Sequence, residues 1–551
     1  MQTRWMVLLA LLTLVLACNT RQANVDTAAK SITADDLARH VQTLASDEFQ
    51  GRAPASPGED KTIQYLVDTF KKLGMAPGNG DSYLQEVPLV EITADANMRL
   101  TFQGTRQRIS LNYLDDFVAG SPHVRPTVSI QNSEVVFVGY GIVAPEYQWN
   151  DYDGINVKGK TVIVLVNDPG YASGDSTFFR GKAMTYYGRW TYKYEEAARQ
   201  GAAGILIVHQ TGPAGYPWTV VRNSWSGPQF YLQTADSGKS QSTVQGWITQ
   251  ESARRLFAAA GKDFDQLAQQ AAQPGFKPIP LPFKVSIAIH NTIRFSKSHN
   301  VIARYPGKDR ADEVIIYTAH WDHFGINPTL EGDSIMNGAR DNATGTAALL
   351  ELAEAFSQLD FPTRRSVVFL AVTAEEQGLL GSAWYATHPI YPLEKTIANI
   401  NMDALNIFGP TRDVTVIGLG YSELDDVLKQ EAEKQGRYLR PDPEPEKGYY
   451  FRSDHFSFAK QGVPALYAKM GVEHIEKGEQ WMRERVDWWV KNHYHKPSDE
   501  YDPQWWDLRG MEQNVRLLFR VGYRLASSNW FPNWREGTEF KAKRDAMMQR
   551  H

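Results

Sequence analysis

The sequence predicts an α/β fold in which a mostly parallel, mixed sheet is covered by helices and interrupted by a β-rich insert. Three observations carry this. From His299 onward, β-branched and apolar runs at Val314 to Thr318, Ser366 to Thr373, Ile397 to Met402 and Pro464 to Met470 alternate with helical patterns, as parallel strands joined by helical crossovers do. Between about Asp116 and Asn291 the texture turns strand-rich and glycine-rich, with runs at 134–140, 159–167 and 202–209. From Thr33 to Gly74 the chain carries two helical patterns without enough strands to close a sheet, so this segment must pack on something later in the sequence.

With 551 residues the chain exceeds one ordinary core. A net charge of −5 offers no broad attraction for nucleic acid. The 15 Trp and 25 Tyr suit large cores and an aromatic-walled pocket. The single cysteine is Cys18, at the end of an apolar run from Trp5 to Ala17 that follows Arg4. That run is too short to span a bilayer and fits a signal peptide. Its V-L-A-C ending resembles a bacterial lipobox, which implies an exported chain anchored to a membrane by a lipidated Cys18; the alternative is an ordinary signal peptide with an incidental cysteine. No thiol remains for a disulfide within the monomer.

In order, the sequence divides into a signal segment 1–18, a polar tether 19–31, the N-terminal part of the main domain 32–115, the insert 116–291, the main domain 292–526 and a tail 527–551 without recognisable chemistry. The first helix places Leu37, Val41 and Leu44 on one face, and the second Tyr65, Leu66, Thr69, Phe70 and Leu73, with Gly74 as its stop.

The chemistry gathers at strand ends. His320 closes the strand 314–318, at the edge where open α/β sheets form sites. Asp341 lies just before a helix with Leu349, Leu352, Ala353 and Phe356 on one face. Glu375 and Glu376 follow the strand 366–373, Asp403 follows 397–402, and Ser453-Asp454-His455 and Tyr494-His495 come later. The stretch from Ala319 to Gly345 alone reads equally well as a solvated loop. Several acidic strand ends together would repel one another unless cations neutralised them, and two divalent metals would.

H-W-D-H, A-R-D-N-A-T-G, A-E-E-Q-G-L-L-G-S, N-M-D, S-D-H-F-S-F and Y-H-K-P-S-D stand in the order and approximate spacing of the co-catalytic zinc aminopeptidases, relatives of bacterial leucyl aminopeptidases and glutamate carboxypeptidase II, which the chain therefore resembles. The resemblance extends to L-A-S-D-E-F-Q-G-R at 44–52. The segments 139–147, 157–165 and 196–206 resemble a protease-associated domain, which several members of the family carry in this place.

The resemblance implies a zinc exopeptidase fold and two Zn2+ ions, one on His320 and Asp403, the other on Glu376 and His495, with Asp341 bridging and a cis peptide from Asp341 to Asn342. It makes Glu375 the general base. Asp322 would orient the His320 imidazole, or be a solvated loop acid; Tyr494 would donate to the oxyanion, or pack. His455 resembles a pocket residue, whereas His323, His474 and His493 read as ordinary polar or packing residues. The segment 472–492 reads as pocket rim or buried packing.

The substrates implied are peptides with a free N-terminus. A carboxypeptidase, with Arg452 either a carboxylate partner or a structural residue, and a single-zinc glutaminyl cyclase are the same-fold alternatives; a receptor-like binding protein is the non-catalytic one.

Overall fold

A computed structural model describes residues 23–549 except Arg106. The signal segment with Cys18, and the tether as far as residue 22, lie outside the described residues. The chain forms two compact units: one comprises the residues up to Val87, Lys297–Asp442 and Arg452–His551, the other Pro88–Ser296 and Pro443–Phe451.

The first unit is built on a mixed sheet. Strands Arg365–Val372, Arg310–His320, Thr396–Asn401 and Ala465–Lys469 run parallel and adjacent in that order. Residues 301–305 pair antiparallel on one side, and Asp413–Ile417 pairs antiparallel on the other, followed by the parallel Tyr438–Pro441. Both faces are covered, which is why the central strands read as continuous apolar runs. On Arg365–Val372, for example, Val367, Phe369 and Ala371 enter one core while Val368, Leu370 and Val372 enter the other.

Helices supply the first of these cores. Ala34–Leu44 is capped by the Thr33 side chain, carries Asp35 and Asp36 in its first turn, and buries the expected Leu37, Val41 and Leu44. Pro57–Lys72 begins with Ser56 as cap and Pro57 in the first turn, and buries Leu66 and Phe70. Thr344–Ser357 and Arg509–Ser527 complete the layer. Tyr317, stacked on Phe369, donates its hydroxyl to the Leu518 carbonyl at 2.8 Å. The phenol lies so close to Gly522 that a Cβ there would overlap it, at 1.7 Å.

The structure adds to the reading of three segments. The tether is not extended where it is described: residues 23–31 are helical and bury Val25, Ala28 and Ala29. Its apolar face is made of small residues, which leaves the stretch polar on average. The tail is packed, since Trp534 is buried and donates to the Gly462 carbonyl at 2.8 Å, and Lys541–Met548 is a helix. The β-rich unit starts at Pro88 and not near Asp116, because the hairpin Arg99–Gln103 with Arg108–Asn112 pairs onto residues 284–286, and residues 89–93 pair with Pro228–Leu232.

The second unit has its own sheet. Residues 279–290 pair antiparallel with Thr127–Phe137. Parallel strands at 161–165, 204–209 and 244–249 follow, and Phe117–Gly120 lies antiparallel on the last. Separate cores lie on its two faces. Pro443–Phe451 belongs to this unit, the Pro445 carbonyl accepting from the Met184 amide at 3.1 Å. No helix among the described residues is long and apolar enough to cross a membrane.

Candidate metal centre

The carboxyl ends of three neighbouring parallel strands deliver His320, Glu375 with Glu376, and Asp403 to one place. Asp341 arrives from the turn before Thr344–Ser357, and its peptide to Asn342 is cis. Asn342 ties this turn to the Asp403 strand: its Oδ1 accepts from the Gly345 and Ala404 amides at 2.9 and 3.1 Å, and its Nδ2 donates to the Met402 carbonyl at 3.0 Å. Gly345 is needed there, since a Cβ would fall 2.5 Å from the Met402 carbonyl oxygen. His495 follows the helix Gly478–Asn492, and Asp499, four residues on, accepts from the Arg340 and Asp341 amides, both at 3.0 Å.

All five predicted ligand residues converge. His320 Nε2 stands 3.4 Å from Asp341 Oδ1 and 3.7 Å from Asp403 Oδ1. His495 Nε2 stands 3.3 Å from Asp341 Oδ2 and 3.4 Å from Glu376 Oε2. The two oxygens of Asp341 therefore face different histidines, as a bridging carboxylate requires. These spacings are long for charge-assisted hydrogen bonds, which run about 2.7 to 2.9 Å. They match the edges of a tetrahedron around an ion ~2.0 to 2.2 Å from each donor. The donor set of two imidazoles and three carboxylates fits zinc, and Asp403 is steadied by Tyr467, whose hydroxyl donates to Oδ2 at 3.2 Å.

Electrostatics point the same way. Burial pushes Glu375 and Glu376 well above the usual carboxylate range, reinforced for Glu375 by the charge of Glu376 and for Glu376 by that of Asp341. Burial opposes the charge on His320, yet Glu375, Asp341 and Asp403 hold its pKa well above the ordinary value. Burial also raises Asp454, close behind, to about 7. So many acids in one dry place call for compensating positive charge or bound protons.

Glu375 is arranged differently from Glu376. Its Oε2 lies 4.0 Å from His320 Nε2, and its carboxylate accepts no hydrogen bond among the described residues, which leaves it free to move a proton. Tyr494 stacks on His495 with ring centroids 3.8 Å apart and is 42% exposed, so both expected roles, donor and packing, are open to it.

Two residues behave otherwise than expected. Asp322 does not hold the His320 imidazole through its carboxylate, which is 3.8 Å away; the ring Nδ1 faces the Asp322 backbone carbonyl at 3.2 Å. The carboxylate instead accepts from the Glu375 and Glu376 amides at 3.1 and 3.3 Å, so Asp322 fixes the loop that carries both glutamates. His323, read as an ordinary polar or packing residue, is buried as packing would have it but stands inside the cluster, with Nδ1 2.6 Å from Glu376 Oε1. The second histidine of H-W-D-H was the available signal. His474 and His493 remain outside the cluster, bonding to neighbouring backbone.

Arg52 was also missed as a site residue. Its buried guanidinium donates to the carbonyls of Leu44, Trp321, Asn337 and Gly338. The 472–492 segment is mainly the helix Gly478–Asn492, whose Trp489 is buried with the Arg340 guanidinium 4.3 Å from its ring centroid.

Residues 300–519 match the model of Peptidase family M28. Aminopeptidase NAALADL1 of Mus musculus is 33% identical over 138 residues, which cover 24% of this chain and 17% of that protein. Aminopeptidase YwaD of Bacillus subtilis is 24% identical over 217 residues, covering 37% of this chain and 40% of that one. The matched part thus spans less than half the length of these curated relatives. An aminopeptidase from Aneurinibacillus sp. strain AM-1 shares the fold over 92% of this chain and 97% of its own, with a TM-score of 0.50 at 20% identity. The segment carrying the site is therefore similar to Peptidase family M28, with aminopeptidases among its relatives.

Proposed function

We propose that the protein is a zinc-dependent aminopeptidase using two metal ions. The observation that carries this is the pair of donor sets around Asp341, His320 with Asp403 on one side and His495 with Glu376 on the other, at tetrahedral spacings and beside the free carboxylate of Glu375. Bound there, zinc supplies Lewis acidity toward the scissile carbonyl and the attacking water. Glu375 takes the proton of that water and returns it to the leaving amine. Asp322 keeps Glu375 and Glu376 facing opposite tasks by holding both their amides. Tyr494 supplies a donor for the developing oxyanion; although the residue is part-exposed, desolvation on its site side and the charges of Asp341 and Glu376 hold its phenol well above its usual range, so it stays protonated.

The substrates are peptides with a free N-terminus, a reading supported by the aminopeptidases among the relatives. The β-rich unit is read as a protease-associated domain on the motifs at 139–147, 157–165 and 196–206. The chain is read as exported and anchored through Cys18.

Elemental analysis of the purified protein, followed by hydrolysis of aminoacyl and N-blocked peptide panels, tests the activity. Two zincs per chain and cleavage confined to free N-termini are expected; cleavage of the blocked peptides alone would favour the carboxypeptidase alternative. Labelling with radioactive palmitate in cells, lost in Cys18→Ser, tests the anchor.

A further inference from the structure

His323 lies in the wall of the site with no exposed surface. Its ring is held on several sides. The backbone amide donates to the Arg52 carbonyl at 3.2 Å, and the ring packs directly on Gly338, where a Cβ would fall 2.5 Å from the His323 Cγ. In this pose Nδ1 is 2.6 Å from Glu376 Oε1, while the other oxygen of Glu376, Oε2, faces His495.

An imidazole fully out of water favours its neutral form, which with its proton on Nδ1 is a donor to a carboxylate. One oxygen of Glu376 is thereby occupied and the other left alone to meet a cation. His323, Asp341 and Glu376 could in principle hold an ion themselves. The 2.6 Å approach argues against Nδ1 and Oε1 sharing an ion in this arrangement, because two donors ~2.0 to 2.2 Å from one tetrahedral ion stand well over ~3 Å apart; a hydrogen bond accounts for it.

We propose that His323 is a positioning residue for Glu376, fixing it as a one-oxygen ligand of the metal site that it shares with Asp341 and His495. The inference rests on the two-zinc reading. Without the Nδ1 donor, Glu376 can rotate or chelate through both oxygens, and the site on its side should loosen while that of His320 and Asp403 does not.

The test is a zinc titration of the chelator-stripped protein against a competing chromophoric chelator, for the wild type, His323→Leu and His323→Asn. Asparagine places an amide N–H near the position of Nδ1. The wild type should take up two zincs. His323→Leu should keep one site at wild-type affinity and weaken the other by roughly 10- to 100-fold. His323→Asn should recover much of that loss.

Thermal unfolding of the three metal-free proteins reports whether the fold is intact. Two zincs bound by His323→Leu as tightly as by the wild type would overturn the proposal, as would equal weakening of both sites or no recovery in His323→Asn. Fewer than two zincs in the saturated wild type would instead remove the two-zinc reading, and this inference with it.

Discussion

Arg52 and Trp321, 269 residues apart, are joined by a hydrogen bond from the guanidinium Nε to the Trp321 carbonyl at 2.9 Å. The same guanidinium grips Asn337 and Gly338, so one side chain fixes the chain just after His320 and just before Asp341. Burial lowers its pKa to about 10, yet nearby Asp499, Asp322 and Asp341 keep it charged. Arg52→Leu should cost about 3 to 5 kcal/mol, since it orphans buried carbonyls and removes a cation from an acidic site. Urea unfolding checks this, and Arg52→Lys should recover only part, because an ammonium lacks the planar fork.

Glu375 and Glu376 should separate under the same substitution. Glu375→Gln keeps the zinc content and lowers turnover by something on the order of 10² to 10⁴. Glu376→Gln, which removes an anionic ligand, lowers zinc content and regains activity partly in excess metal. Zinc stoichiometry with peptide hydrolysis distinguishes them, and the reverse pattern would mean the two roles are exchanged.

Tyr494→Phe keeps the ring on His495 and removes the donor. Turnover should fall on the order of 10² to 10³ with little change in KM. An unchanged kcat would assign Tyr494 to packing alone.

Away from the site, Asp425 accepts from the Gly420 amide at 2.7 Å, and burial raises its pKa to about 6 from the ordinary 3.8. Between these values the folded protein keeps a proton that the unfolded chain has released, so this residue's contribution to stability falls as pH rises through that window. The loss is complete above about pH 7 and on the order of 1 to 3 kcal/mol. Asp425→Asn has no proton to lose. Denaturation at pH 4 and pH 7.5 should show the variant gaining on the wild type at the higher pH.

The position of several candidate ligands could be read from the sequence because a buried parallel strand is an unbroken apolar run, and the acids or histidine at its end lie at the sheet's carboxyl edge; their roles as ligands came from the motifs' resemblance to a family. His320, Glu376 and Asp403 are of this kind. His323 and Asp322 are not: each acts on a partner from the neighbouring strand, at a distance set by loop geometry that spacing does not encode. Arg52 is hidden for a related reason, as its partners are all backbone carbonyls and leave no mark on residue type. The helix at 23–31 escaped because alanines form most of its buried face.

The hydrogen bonds from the Ala34 amide to Glu512 and from Arg516 to the Ile32 carbonyl span 478 and 484 residues. A ribosome adds roughly 5 to 20 residues per second, so the first helices emerge roughly 25 to 95 s before the helix that receives them exists. Throughout that interval Leu37, Val41 and Leu44 lack part of their final cover. That stripe therefore reaches its full cover only when synthesis is nearly complete.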